Sequence, residues 1–558
     1  MSGTLKTSLL NYPFELVAPM AAIGSVLLLP LGPLLIPRTY IWFLLVYFTL
    51  FLYTQVSHVF KFYLTASKIK GNIRAWNQRS VVEEEKTSMS KPRERVNDQD
   101  LDDMETSLQL YEENHFIHAF IVPNYAEPEA LLRDTIKRLA NHKNAQTNYV
   151  IILAMEASEL NYELKADSLT EYFKDSFLSF IVTAHPADIP GETRGKGSNV
   201  AFAARHGCAQ MMQQGIDRRR VILTVSDSDS SIPELYTKEV EKSFTQAEDP
   251  YFLLFAPPIF FSRNSFEVPA AVRMTDITWS AMVMSSLSNG RGLSFPCSTY
   301  SLSMVLAERV GYWDTDADAV GEDMHMMLKC FFKTDGLARC CPIFVPINLT
   351  NVQTNGYLAN MHARFVQAKR HYNGVADLAY TLRNSFGVKG NVNVFASKKS
   401  MYASPNFWLD KLIICIKVME AHLIPVTSGW LMFAAVPLMQ FILFPPASIT
   451  TVFVPAEENP ILTSEFYANL WNIVRIITVF LPFPLFGTLA VYEVLHRTID
   501  RELYHKAETR TWRNMFDYIS LPVAAWAFMT IPSTIACIKR LYKSNSEYIV
   551  AEKFFDEE

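Results

Sequence analysis

The chain has 558 residues, 19% of them charged, and a net charge of −5. This is length enough for roughly two to four domain-sized units, and without a basic stripe interleaved with aromatics it gives no reason to expect nucleic acid. Seven cysteines show no paired Cys-x-x-Cys metal spacing.

Apolarity is concentrated at the two ends. Leu16–Ile36 and Tyr40–Phe60 are each about twenty nearly uncharged residues, long enough to cross a hydrocarbon core. The first lacks the basic leader, short apolar core and small-residue cleavage site of a signal peptide. Lys61, Lys68, Lys70, Arg74 and Arg79 follow the second, so the positive-inside bias places the central region in the cytosol. There Cys208, Cys297, Cys330, Cys340 and Cys341 are expected as free thiols.

Ser80–Ser107 is charged and poor in apolar residues, the composition of a linker. The expected division is a membrane domain with two spans over 1–78, a linker over 79–112, and a cytosolic catalytic domain over 113–400. A second membrane domain with an interfacial helix and two to three spans follows over 401–545, then an acidic tail over 546–558.

From Phe116 short apolar runs alternate with helical patterns: "FIHAFIVPNY", "EALLRDTIKRLANH", "YVIILAME", "LSFIVTAH", "SNVAFAARHGCAQMMQQ", "VILTVSD". Alternation of this kind predicts an α/β domain with a mostly parallel mixed sheet. Ligands in such sheets bind beyond the carboxyl ends of the strands. Those ends carry Pro123, Tyr125 and Glu127, then Glu156, then His185, then Asp227 and Asp229.

In "HPADIPGETRGKGSNVAFAA" three glycines allow close backbone approach, Arg194 and Lys196 supply positive charge, and Ser198–Asn199 offer a cap for the next helix. A basic glycine loop before a helix favours an anion, though this one lacks the Walker spacing. A flexible basic loop is the plainer reading.

"VILTVSDSDSSIP" ends a buried run in Asp227-Ser228-Asp229. Two carboxylates at i and i+2 on a strand-end turn can face one hard cation, Mg²⁺ or Mn²⁺, completed by substrate phosphates. A solvated acidic turn is the alternative. Asp-x-Asp recurs at Asp98/Asp100, Asp314/Asp316 and Asp316/Asp318, but the first copy sits in a charged linker and the two overlapping ones in a polar loop.

"AVGEDMHMMLKCFFKTDG" puts Glu322 and Asp323 at a helix start, where the dipole alone favours acids. Either could also serve as a general base toward a hydroxyl. Asn348-Leu349-Thr350 is a glycosylation sequon, expected unused on the cytosolic side. In "RFVQAKRHYN", Gln367, Arg370 and His371 share one helix face, with a solvated basic face as the simpler account.

Beyond residue 405, Leu423–Phe444, Leu470–Tyr492 and Ile519–Ile538 are the expected spans. Phe407–Met419, interrupted by Asp410, Lys411 and Lys417, reads as an interfacial amphipathic helix.

In this order the segments resemble the processive membrane family 2 glycosyltransferases, which include cellulose, chitin and hyaluronan synthases. "VPNYAEP" is similar to their first-strand uridine motif, "VSDSDSSIP" to their metal-binding Asp-x-Asp, "GED" to their Thr-Glu-Asp and "QAKRH" to their Gln-x-x-Arg-Trp. The resemblance implies a GT-A fold held between transmembrane helices and a UDP-sugar donor, with glucose or N-acetylglucosamine tried first. It implies that Pro123, Tyr125, Glu127, Glu156, Lys196 and Asp227 bind the donor, and that Asp229 with Asp227 holds Mg²⁺ or Mn²⁺. Asp323, beside Glu322, is then the base, and Gln367, Arg370 and His371 form the diphosphate and acceptor end. The implied reaction is inverting transfer to a growing β-linked polysaccharide secreted through the protein's own spans at the plasma membrane.

The chain departs from that pattern at three points. Glu156 stands where the family has Asp, His371 where it has Trp, and the nearest segment to its Phe-x-Val-Thr-x-Lys gate is "NSFGVKG". Transfer of one or a few sugars to a lipid acceptor, and a catalytically silent membrane scaffold or channel, are the alternative readings.

Overall fold

The structure is a computed structural model that describes residues 2–89, 116–316, 318–387, 404, 406–444 and 458–542. The acidic tail, the linker beyond residue 89 and the end of "NSFGVKG" lie outside the described residues.

The four apolar runs form strands β1 (Ile117–Pro123), β2 (Tyr149–Glu156), β3 (Ser179–His185) and β4 (Val221–Val225). Every residue of β1, β2 and β4 is buried, as expected for strands covered on both faces. The remaining strands are short: β5 (Leu253–Ala256), β6 (Ile259–Phe261), β7 (Tyr300–Ser303), β8 (Arg339–Pro342) and β9 (Ile347–Leu349).

The main sheet runs β3-β2-β1-β4-β7-β5-β8. β1 to β4 pair in parallel, and β7 lies antiparallel to both β4 and β5, so the sheet is mostly parallel and mixed. Its register aligns Pro123 with Ala154, and Glu156 with His185. The ends of β1, β2 and β3 therefore open on one edge, joined by Asp227 just past β4. One face packs on the helices Lys196–Gln213 and Met304–Val310, the other on Glu129–Ala140 and Glu234–Gln246.

Among the described residues five helices are long and apolar enough to cross a membrane: Asn11–Leu35, Pro37–Gln78, Phe407–Leu443, Glu465–Leu503 and Trp512–Lys539. Leu50, Tyr53, Phe60 and Val479 on them are more than half exposed, an apolar surface that marks membrane association. On their inner side they share a core with the helices Ala270–Leu287 and Tyr357–Tyr372, through Phe62, Ile69, Ile277, Tyr372, Ile414 and Leu495.

The structure corrects three details. The second helix continues to Met89, past the expected linker boundary at 78/79, because its Glu-rich extension retains helix-forming composition. Phe407–Met419 is not a separate element, since its helix runs unbroken to Leu443. The helix after the glycine loop begins at Lys196, with Gly195 at its N-cap. Ser198 instead donates to Thr193 O at 2.6 Å and Asn199 to Ala154 O at 2.9 Å.

Candidate active site

The strand-end edge opens into a cavity of about 1030 Å³. Pro123, Tyr125, Glu127, Glu156, Lys196, Asp227, Asp229, Glu322, Asp323, Gln367, Arg370 and His371 all line it. No local pattern requires segments so far apart in sequence to meet, so their convergence is a property of the fold.

After β1 the chain turns sharply: Ala126 has a φ of 62° and Tyr125 N–H donates to the Glu127 carboxylate at 2.6 Å. At the end of β2, Glu156 accepts from His185 Nδ1 at 3.1 Å, and His185 Nε2 lies 3.0 Å from Glu192. Burial opposes the His185 charge, but the two carboxylates outweigh it and raise its pKa. Glu156 is thus held by an imidazole on the neighbouring strand, a partner its own segment did not reveal.

Lys196 opens the helix after the glycine loop. Its Nζ lies 2.5 Å from Asp227 Oδ1 and 2.8 Å from Glu322 Oε1. Burial opposes the ammonium charge, yet these carboxylates raise its pKa. Gly197 makes the approach possible, since a Cβ there would stand 3.2 Å from Ala319 O and 3.5 Å from Glu322 Cβ. Burial pushes the Glu322 carboxyl up to about 7 against the pull of Lys196.

Glu322 and Asp323 are therefore unlike. Glu322 is 7% exposed and engaged by Lys196. Asp323 is half-buried, with Oδ2 accepting from Ser298 N at 2.7 Å and Oδ1 from Met324 N at 2.8 Å. Backbone donors fix its carboxylate while the side chain still borders the cavity.

Sequence reasoning missed Ser298, whose hydroxyl donates to Asp227 Oδ2. It also missed Thr350, the last residue of the sequon, whose N–H at 3.2 Å and hydroxyl both donate to Asp229 Oδ2. Ser298 lies two residues before β7 and Thr350 directly after β9, which pairs with β6 apart from the main sheet; both strands are too short to carry a readable period. Arg263 donates to Asp229 O at 2.5 Å and also pairs with Asp134.

At the other end, Gln367 accepts from Arg364, itself paired with buried Asp276 at 2.8 Å. Exposed His371 lies against half-buried Trp279, ring centroids 6.3 Å apart. Beyond them the cavity reaches the apolar helices, where His58 pairs with Glu420 at 3.0 Å and sits 2.6 Å from Ser285 Oγ.

Among the described residues no three His, Cys, Asp or Glu side chains are grouped to hold a metal ion. Asp227 and Asp229 border the cavity as a two-carboxylate set of hard oxygens, which fits a Mg²⁺ or Mn²⁺ ion whose remaining ligands are substrate phosphates and water.

A family model for "Glycosyl transferase family group 2" matches residues 222–491. No curated protein matches the chain. One similar solved structure is a mannosyltransferase from Pyrobaculum calidifontis in complex with GDP-Man and Mn²⁺, at 15% identity and a TM-score of 0.38, covering 80% of this chain and 99% of that one. Another is glucosyl-3-phosphoglycerate synthase from Mycobacterium tuberculosis in complex with Mn²⁺, UDP and phosphoglyceric acid, at 13% identity and a TM-score of 0.28, covering 50% of this chain and 82% of that one. The carboxylates at 227, 229, 322 and 323 all fall inside the matched stretch, and over that stretch the chain is similar to glycosyl transferase family group 2.

Proposed function

We propose that this enzyme is a metal-dependent, inverting hexosyltransferase that adds sugars from a UDP-sugar to a growing β-linked glycan. The observation that carries this reading is the single cavity in which the strand-end carboxylates Asp227 and Asp229 meet Asp323 and then continue between the apolar helices.

In this mechanism Tyr125, Glu127 and Glu156, at the ends of β1 and β2, surround the uridine. Asp227 and Asp229 would hold the cation, which would offset charge on the leaving diphosphate. Lys196 faces the same charge from the helix N-terminus. Asp323 takes the proton of the acceptor hydroxyl, the oxygen forms a bond to the anomeric carbon, and the bond from that carbon to the diphosphate breaks with its electron pair leaving on UDP. Attack opposite the leaving group converts an α-linked donor into a β-linkage. Gln367, Arg370 and His371 bound the acceptor end, and the nascent glycan leaves through the apolar helices, with the catalytic domain on the cytosolic side of the plasma membrane.

A second reading, transfer of one or a few sugars to a lipid acceptor, is favoured by His371, which offers less stacking surface than an indole. UDP release by detergent-purified protein, measured over a panel of UDP-sugars with Mn²⁺ or Mg²⁺ beside Asp323→Asn, tests both. High-mass labelled product with one sugar, lost in the variant, supports the polymerase; product that is only small or organic-extractable supports the second reading. Release unchanged by Asp323→Asn overturns both and leaves a silent scaffold.

A further inference from the structure

Two buried polar atoms in the cavity are left over by the mechanism above. Asp377 is 0% exposed; His325 Nδ1 lies 2.6 Å from its Oδ1, while its Oδ2 has no hydrogen-bond partner among the described residues. His422 is 8% exposed and its Nε2 likewise has none. Both side chains line the cavity, one from the helix Ala376–Phe386 and the other from the long apolar helix Phe407–Leu443. A buried polar atom without a partner costs on the order of 1–3 kcal/mol, so two facing one space call for an account.

Two glycines lie beside these groups. A Cβ on Gly321 would stand 3.5 Å from Asp377 Oδ2, 3.8 Å from Asp323 Oδ1 and 3.7 Å from Gly374 Cα. A Cβ on Gly374 would stand 3.8 Å from His422 Cε1. Asp323, Asp377 and His422 thus border one cavity with these two glycines between them, and a Cβ at either glycine would sit in contact with its neighbours.

We infer that Asp377 and His422 bind a second hydroxyl of the acceptor, next to the one that Asp323 deprotonates. Asp377 Oδ2 accepts a hydrogen bond from that hydroxyl, and His422 Nε2 supplies the complementary contact. The pair also sets the acceptor class. Two carboxylates, Asp323 and Asp377, border the same opening, so a phosphate there meets like charge, whereas a neutral vicinal diol of a sugar finds acceptors for both its protons. His325 acts as a positioning residue, holding the other oxygen of Asp377. The inference rests on the glycosyltransferase reading above and deepens it by naming a neutral sugar acceptor in place of an anionic lipid headgroup.

The test is acceptor kinetics with cellobiose and chitobiose as probes, at saturating UDP-sugar, for the wild type, Asp377→Asn, His422→Phe and His422→Gln, with UDP affinity measured by calorimetry in each. His422→Phe keeps ring volume within an apolar helix and Asp377→Asn keeps the bond to His325, so UDP affinity stays within about twofold and reports folding. The expected result is an acceptor KM raised about tenfold or more in Asp377→Asn and His422→Phe, with part of the loss recovered in His422→Gln. If Asp377→Asn does not fold, His422→Phe alone decides. An acceptor KM unchanged in the variants overturns the subsite, as does a wild type that ignores both disaccharides and glycosylates a phospholipid headgroup. A wild type with no turnover of any UDP-sugar overturns the underlying reading before any variant is compared.

Discussion

Ser298 joins Asp227 to Asp323: its hydroxyl donates to Asp227 Oδ2 and its N–H to Asp323 Oδ2 at 2.7 Å, with its backbone at a φ of 64°. A non-glycine residue in that region costs about 1–2 kcal/mol, and such strain persists where the surrounding contacts fix it. The hydroxyl and the strained N–H therefore have separable roles. Ser298→Ala and Ser298→Gly both retain the N–H and both lose the contact to Asp227, so both should raise the KM for UDP-sugar, by about tenfold if that contact is worth ~1.5 kcal/mol. Thermal unfolding should separate them, with Ser298→Gly the more stable because glycine tolerates the positive φ. An alanine variant with unchanged donor KM would show that the hydroxyl is not part of the donor site.

Much of the first half of the sheet was legible, because β1, β2 and β4 are continuous apolar runs that end in polar residues and their spacing by helices dictates parallel pairing. That argument brings Pro123, Glu156, His185 and Asp227 to one edge. It could not reach Ser298 or Thr350, since β7 and β9 are only four and three residues long and their side chains matter through contacts 71 and 121 residues away. Thr350 even carried a misleading local signal, the sequon. Asp377, His422 and Trp279 lie on helices whose apolar pattern explains them as packing residues; only the cavity distinguishes them.

Asp323 and Asp229 make different contacts, and their variants should fail differently. In the proposed mechanism Asp323, held by Ser298 N and Met324 N, acts on the acceptor, so Asp323→Asn should lower kcat by about 10²–10⁴ with UDP affinity nearly intact. Asp229→Asn should weaken Mn²⁺-dependent UDP binding as well, and chelation with EDTA should have the same effect on the wild type. Equal loss of UDP affinity in both variants, read by calorimetry, would refute this division.

His325 links the helix Glu322–Lys333 to its neighbour by lying 2.6 Å from Asp377 and 3.2 Å from Asp314, which also pairs with Lys329 at 2.6 Å. Burial lowers the imidazolium pKa, but the carboxylates of Asp377 and Asp314 outweigh it and raise it to about 10. A folded pKa above the unfolded one of about 6.5 means that this stabilisation is fully present below about pH 6.5 and lost as pH rises toward 10. The Tm of His325→Gln in detergent should therefore fall below wild type by more at about pH 6.5 than at about pH 10. A constant gap would mean that His325 contributes through its shape alone.

Trp279 and His371 form a tilted aromatic pair on the cavity wall, centroids 6.3 Å apart. An imidazole gives a sugar ring less apolar surface than an indole, and aromatic contacts of this kind contribute about 0.5–1.5 kcal/mol beyond area. If a growing glycan leans on this wall, stacking there sets how long each chain stays bound. His371→Trp should then lengthen the product and Trp279→Ala shorten it, both at unchanged UDP affinity. At roughly 1 kcal/mol the shift in residence is about fivefold, enough to resolve by sizing labelled product. Product of identical length from both variants would place the acceptor elsewhere in the cavity.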